Sequence, residues 1–161
     1  MKEVINIADI ALDQNGHGER FSWQTGEIGQ ALGLDVLGCM LHIVPPGKTA
    51  GPYHRHHGCD EMFYIIAGEG EYRIGEKRIQ VRAGDCLGAP AGGAAHQLIN
   101  RGTQELRYLG LSNNPVSDLV EYPDSGKISM RVAAKGVMYD SATFTQRGRL
   151  TTADYWDGED A

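Results

Sequence analysis

Four histidines, His54, His56, His57 and His96, and one glutamate, Glu61, are the residues whose types and spacing could do chemistry. In a β-strand, residues two apart share a face, so His54 and His56 project together while Arg55 and His57 project the other way. After the short loop His57-Gly58-Cys59-Asp60, a strand resumes as Glu61-Met62-Phe63-Tyr64-Ile65-Ile66 and brings Glu61 beside the two imidazoles. An isolated buried carboxylate is costly, whereas neutral imidazoles and a carboxylate around a divalent cation satisfy one another's lone pairs and charge. The competing reading leaves His54 and His56 as surface residues of an exposed strand, and the spacing to Glu61 favours the metal.

The elements that must position these groups are strands. Between Val36 and Ser112 the chain alternates apolar runs of five to eight residues with turn signals at Pro45-Pro46-Gly47, Gly68-Glu69-Gly70, Gly75-Glu76-Lys77, Ala83-Gly84-Asp85 and Asn100-Arg101-Gly102. No window there sustains helical periodicity long enough for a core helix. Residues 71–74 and 78–81 read as a hairpin with Tyr72, Ile74, Ile79 and Val81 facing inward. Residues 1–33 read as one apolar stretch, a polar loop over 13–20 and an aromatic pair, Phe21 and Trp23, giving two short strands and a turn of helix. Beyond Pro115, Val116–Tyr122 and Lys127–Val132 read as added strands around a turn at Pro123-Asp124-Ser125-Gly126, and the acidic tail, with Trp156, is expected to cover a sheet face or a neighbouring subunit.

Composition narrows the function classes. The 161 residues suit one domain, with 41% hydrophobic residues for a core and 22 glycines, about twice the usual ~7%, for turns. Fifteen basic against 21 acidic residues leave a formal charge of -6, the wrong sign for tracking phosphates, so no nucleic-acid partner is expected. Cys39, Cys59 and Cys86 are odd in number and lack a CxxC pair, which fits a reducing cytoplasm rather than a disulfide framework or a zinc ribbon. No apolar run approaches a membrane span and the N-terminus is interrupted by charge, so no membrane partner is expected.

Two segments carry a family resemblance. His54, His56, Glu61 and Gly68 resemble the first cupin motif position by position, and Gly84, Pro90-Ala91-Gly92, His96 and Asn100 resemble the second. One extra residue stands before His96 and another between Gly47 and His54, both in loop-like stretches. The resemblance implies an all-β, double-stranded β-helix (jelly-roll) cupin barrel with extra N- and C-terminal strands. It implies one cupin domain over 1–161, with the barrel at about 36–113 and flanking extensions at 1–35 and 114–161. It also implies that His96 joins His54, His56 and Glu61 around manganese, iron, nickel or zinc. Asp60-Glu61, Pro90-Ala91-Gly92, residues 122–127 and residues 155–159 further resemble a group of single-barrel bacterial cupins, some provisionally named sugar-phosphate isomerases.

The remaining polar candidates have plainer readings. Asp60 and His57 have the wrong parity to join the ligands, and Cys59 has no resolving partner. Phe63 shares the parity of Glu61 and would wall the pocket, while Arg73 lies on the polar side of its hairpin. Four protein ligands leave about two positions on an octahedral ion, enough to chelate a small oxygen-rich molecule. The expectation is therefore a metal-dependent enzyme of the sugar-phosphate isomerase kind, working as a cytoplasmic homodimer on a small-molecule substrate. The alternatives are a non-catalytic ligand-binding or sensing cupin and a cupin dioxygenase or decarboxylase.

Overall fold

The computed structural model describes residues 2–133 and 142–159. The chain enters through a single 3-10 turn, Ile7–Asp9, and a hairpin of β1 (Asp13–His17) and β2 (Phe21–Glu27). A five-residue helix follows, α1 (Ile28–Leu32), and Gly33 ends it at φ +74°, a left-handed conformation that glycine adopts without steric cost. The rest of the described chain is strand and turn: β3 (Gly38–Val44), β4 (Arg55–His56), β5 (Glu61–Ala67), β6 (Glu69–Ile74), β7 (Lys77–Arg82), β8 (Cys86–Ala89), β9 (His96–Ile99), β10 (Leu106–Ser112), β11 (Ser117–Tyr122), β12 (Lys127–Ala133) and β13 (Ala142–Gly148).

The strands form three sheets, ordered β1-β2-β3-β10-β5-β8, β7-β6-β9 and β13-β12-β11-β4, and all strand pairings within them are antiparallel. Val44, Ile65, Leu87, Leu106 and Tyr108 of the first sheet pack against Tyr72, Val81 and Leu98 of the second, which places the main core between them. On the other face of β3, Leu41 and Ile43 pack with Ile28 of α1 and with Ile5 and Ile10 of the N-terminal segment. Both faces of β3 are therefore covered, which accounts for its apolar residues on both faces, Cys39, Met40, Leu41, Ile43 and Val44, interrupted only by His42, where a half-exposed strand would alternate. Gly68 joins β5 to β6 at φ +82°, and a Cβ there would lie 2.3 Å from the Glu105 carbonyl oxygen.

The all-β architecture and the hairpin over 71–81 stand as expected, with four departures. Residues 13–17, read as loop, form β1, whose ladder to β2 satisfies the backbone although its side chains face solvent; the apolar stretch before it contains the 3-10 turn instead of a strand. Ile79 is 46% exposed, since β7 is the edge of its sheet and only Val81 reaches the core. The polar strand β13 extends the third sheet without an alternating apolar signal to announce it. Tyr155 and Trp156 are exposed, 83% and 63%, so the described part of the tail covers no sheet of its own chain.

Candidate metal centre

The site is built on a short backbone bridge between the two motif segments. His54 N–H donates to the His96 carbonyl at 3.0 Å, and His96 N–H donates to the His54 carbonyl at 2.7 Å. With β9 in register beside β6, and β5 entering from the opposite sheet, the side chains of His54, His56, Glu61 and His96 meet at the barrel wall. Glu61 Oε2 lies 3.1 Å from His96 Nε2, 3.4 Å from His56 Nε2 and 3.9 Å from His54 Nε2. His54, Glu61 and His96 each offer a ligand atom within 4.8 Å of the others and could hold a metal ion.

The far nitrogens of two imidazoles are already committed. His54 Nδ1 lies 2.8 Å from the Pro52 carbonyl oxygen, which can only accept, and His56 Nδ1 is hydrogen-bonded to the Asp118 carboxylate. Donation from Nδ1 leaves a lone pair on Nε2 in both rings, directed toward Glu61. His96 is 3% exposed, and neither its Nε2 nor Glu61 Oε2 has a hydrogen bond of good geometry. Buried polar atoms without partners cost about 1–3 kcal/mol each, and a cation between them would satisfy both. Two imidazoles and one carboxylate, from His54, His96 and Glu61, are a donor set suited to the first-row metals expected from the sequence, and His56, with Nε2 3.4 Å from Glu61 Oε2, stands beside that trio without being part of it.

The electrostatics favour ligand-ready protonation states at Glu61 and His54. Burial works to raise the Glu61 pKa, but the adjoining imidazoles of His96, His56 and His54 outweigh it and hold the carboxyl below its usual value. Burial, together with neighbouring His96, lowers His54 to about 4, so the ring is neutral at pH 7. His56 is displaced the other way: burial lowers it, and the Asp118 hydrogen bond with the charge of Glu61 more than compensates.

The surrounding residues fall largely as their strand parity indicates. Phe63 lies with its ring centroid 5.6 Å from that of His96, and Tyr72 at 6.1 Å, giving an aromatic wall; Met62 and Tyr64 face outward. Arg55 and His57 leave the site and share Glu121, at 2.7 Å each for their closest contacts. Asp60 accepts from Ala91 N–H at 2.8 Å and joins no ligand. Cys59 is buried and burial pushes its thiol up to about 12, which removes it as a nucleophile. Arg73 is held by a two-pronged ion pair with Asp124 and lies over the Tyr53 ring, a structural arrangement. Three neighbours escaped the sequence reading: Asp118 behind His56, Tyr122 with its ring 6.2 Å from His54, and His42, stacked on Tyr108 at 4.8 Å. Asp118 gave one faint signal, a lone carboxylate followed by two apolar residues in a predicted strand. A shallow depression lined by Gly68, Glu69, Arg82, Ala83, Thr103 and Gln104 shares no residue with this site.

An antiparallel barrel that gathers three imidazoles and a carboxylate on its wall has the architecture of a cupin. Residues 40–112 match the family model described as a cupin domain. A curated relative, the oxalate-binding protein of Thermotoga maritima, is 34% identical over 68 residues, 42% of this chain; the chain spans about half, 54%, of that relative's length. Among solved structures, a protein of Acidithiobacillus ferrooxidans provisionally named a sugar phosphate isomerase superposes with TM-score 0.74 at 29% identity, over 78% of this chain and 82% of its own. A sugar phosphate isomerase from the cupin superfamily of Silicibacter pomeroyi superposes with TM-score 0.76 at 20% identity, over 91% and 92%, and supports the fold.

Proposed function

We propose that the protein is a metal-dependent enzyme of the cupin class acting on a small oxygen-rich metabolite, in the manner of a sugar-phosphate isomerase, with His54, His56, Glu61 and His96 as the metal ligands. The observation that carries this reading is the approach of three imidazole Nε2 atoms to one carboxylate oxygen, at 3.1, 3.4 and 3.9 Å, with that oxygen and His96 Nε2 buried and without a hydrogen bond of good geometry. The likeness to the Acidithiobacillus protein supports the substrate class.

When bound, a divalent cation would polarise a substrate carbonyl or carboxylate oxygen. The chain's own contribution is to hold the ligand atoms in place and to shape the space in front of them. Phe63 and Tyr72 beside His96 keep that side of the centre apolar, which strengthens electrostatic interactions at the ion. Three free cysteines fit a cytoplasmic setting, and the described helices include none long and apolar enough to cross a membrane. Outward-facing Met62 and Tyr64, 44% and 40% exposed on β5, fit a homodimer contact.

A second reading, a cupin that binds a small dicarboxylate without turning it over, is favoured by the name of the Thermotoga relative. Metal-loaded protein assayed against sugar phosphates, hydroxy acids and oxalate separates the two. Turnover that disappears in His56→Ala supports the enzyme, and saturable oxalate binding with no turnover across the panel supports the binding protein.

A further inference from the structure

We propose that Asp118 is the positioning residue of the metal centre, so that the C-terminal sheet, outside the matched cupin segment, completes a centre whose ligands all lie within it. The proposal rests on the metal reading above and adds to it the part played by β11.

The Asp118 side chain is 2% exposed, and a carboxylate so deeply placed persists only with its charge and lone pairs satisfied. Both oxygens are used. Oδ2 accepts from His56 Nδ1, and Oδ1 accepts from the backbone N–H of Gly58 at 2.8 Å. Asp118 is therefore not itself a ligand. It fixes which His56 nitrogen carries the proton and which way the ring turns, leaving Nε2 free toward Glu61.

The same contact pins the turn that separates His56 from Glu61. A Cβ at Gly58 would lie 2.9 Å from the Ser117 carbonyl oxygen and 3.4 Å from Asp118 Oδ1, so β11 fits closely against that turn. His57 N–H donates to the Leu119 carbonyl at 2.9 Å, and His56 pairs with Val120 across the ladder. On the opposite face of this strand pair, Glu121 binds Arg55 and His57, which are not ligands. Glu121 thus ties the same two strands together without touching the centre, and provides an internal control.

The test uses the full chain loaded with Co(II), whose visible absorption reports ligand geometry, and affinity measured by competition with a chromophoric chelator. Asp118→Asn keeps the size of the side chain but has one acceptor oxygen for two donors; its Co(II) affinity should fall 10- to 100-fold, with a changed absorption band. Glu121→Gln should stay within about threefold of the wild type and keep its band. Asp118→Ala leaves two buried donors unserved and could unfold, which is why Asp118→Asn carries the test. An Asp118→Asn protein with wild-type affinity and spectrum overturns the proposal, as does an equal loss in Glu121→Gln, which would show only strand-to-strand tethering. A wild-type chain that binds no Co(II) overturns the metal reading itself, and the role of Asp118 with it.

Discussion

His54 and His96, from the two separate motif segments, exchange a reciprocal pair of backbone hydrogen bonds at 3.0 and 2.7 Å, and their rings lie 4.6 Å apart. Two candidate ligands are thus fixed relative to each other by main chain rather than by a loop. A centre built this way is organised before any ion arrives, and ion binding then adds stability without having to create the fold.

Chelation should therefore soften the protein without unfolding it. At a metal concentration about 100 times Kd, binding contributes about 2.7 kcal/mol, a rise in Tm of roughly 5–10 °C for a chain of this size. Thermal scans with added zinc or manganese and with EDTA check this, and Glu61→Gln should abolish the difference. Complete unfolding in EDTA at 25 °C would contradict a preassembled centre.

Asn100 tests the turn that returns the chain to β10. It is fully buried, donates to the Val44 and Gln104 carbonyls at 2.8 Å each, and accepts from Gly102 N–H at 2.9 Å. Asn100→Ala removes all three bonds, and at about 1 kcal/mol each the loss should be about 3 kcal/mol. Asn100→Asp should cost at least as much, because its carboxylate would face two carbonyl oxygens. Urea unfolding of the two variants measures both; a loss under ~1 kcal/mol in each would be inconsistent with this network.

His42 should make stability depend on pH. Burial, only partly opposed by Glu61, lowers its pKa from 6.5 to about 4. The unfolded chain takes up this proton below about pH 6.5 and the folded chain only below about pH 4. The contribution is complete above pH 6.5, falls as the pH drops between these values, and levels off below about 4, for a total of about 3 kcal/mol. Replacing His42 by Gln should flatten that part of the profile. Denaturant titrations from pH 7.5 to 4 in chelator, where His54 contributes equally to both proteins, give the comparison; identical slopes would refute it.

Strand parity made much of the site legible in the sequence. The alternation of His54, Arg55, His56 and His57 placed two imidazoles inward and sent Arg55 and His57 to Glu121, and Phe63 followed Glu61. His96 needed the motif resemblance, because its partner is reached by a long-range bridge that no local pattern records. Asp118 was hidden for the same reason: its role depends on the pairing of β11 with β4, and β4 is only two residues long. Ile79 was misread because alternation shows which face a side chain takes and not whether an edge strand is covered there. The polar strands β1 and β13 owe their place to ladder hydrogen bonds instead of burial, so hydropathy could not find them. Trp156, 63% exposed, lies on no sheet of its own chain, because aromatic content alone does not say which surface a side chain meets.

The most direct measurement is the metal content of the full chain, purified without nickel resin, incubated with manganese, iron, nickel and zinc salts, desalted, and analysed by elemental mass spectrometry. The wild type should retain close to one equivalent of one of these metals per chain, and Glu61→Gln with His96→Ala less than about a tenth of that. Equal metal content in the wild type and the double variant would contradict a cation held by these side chains.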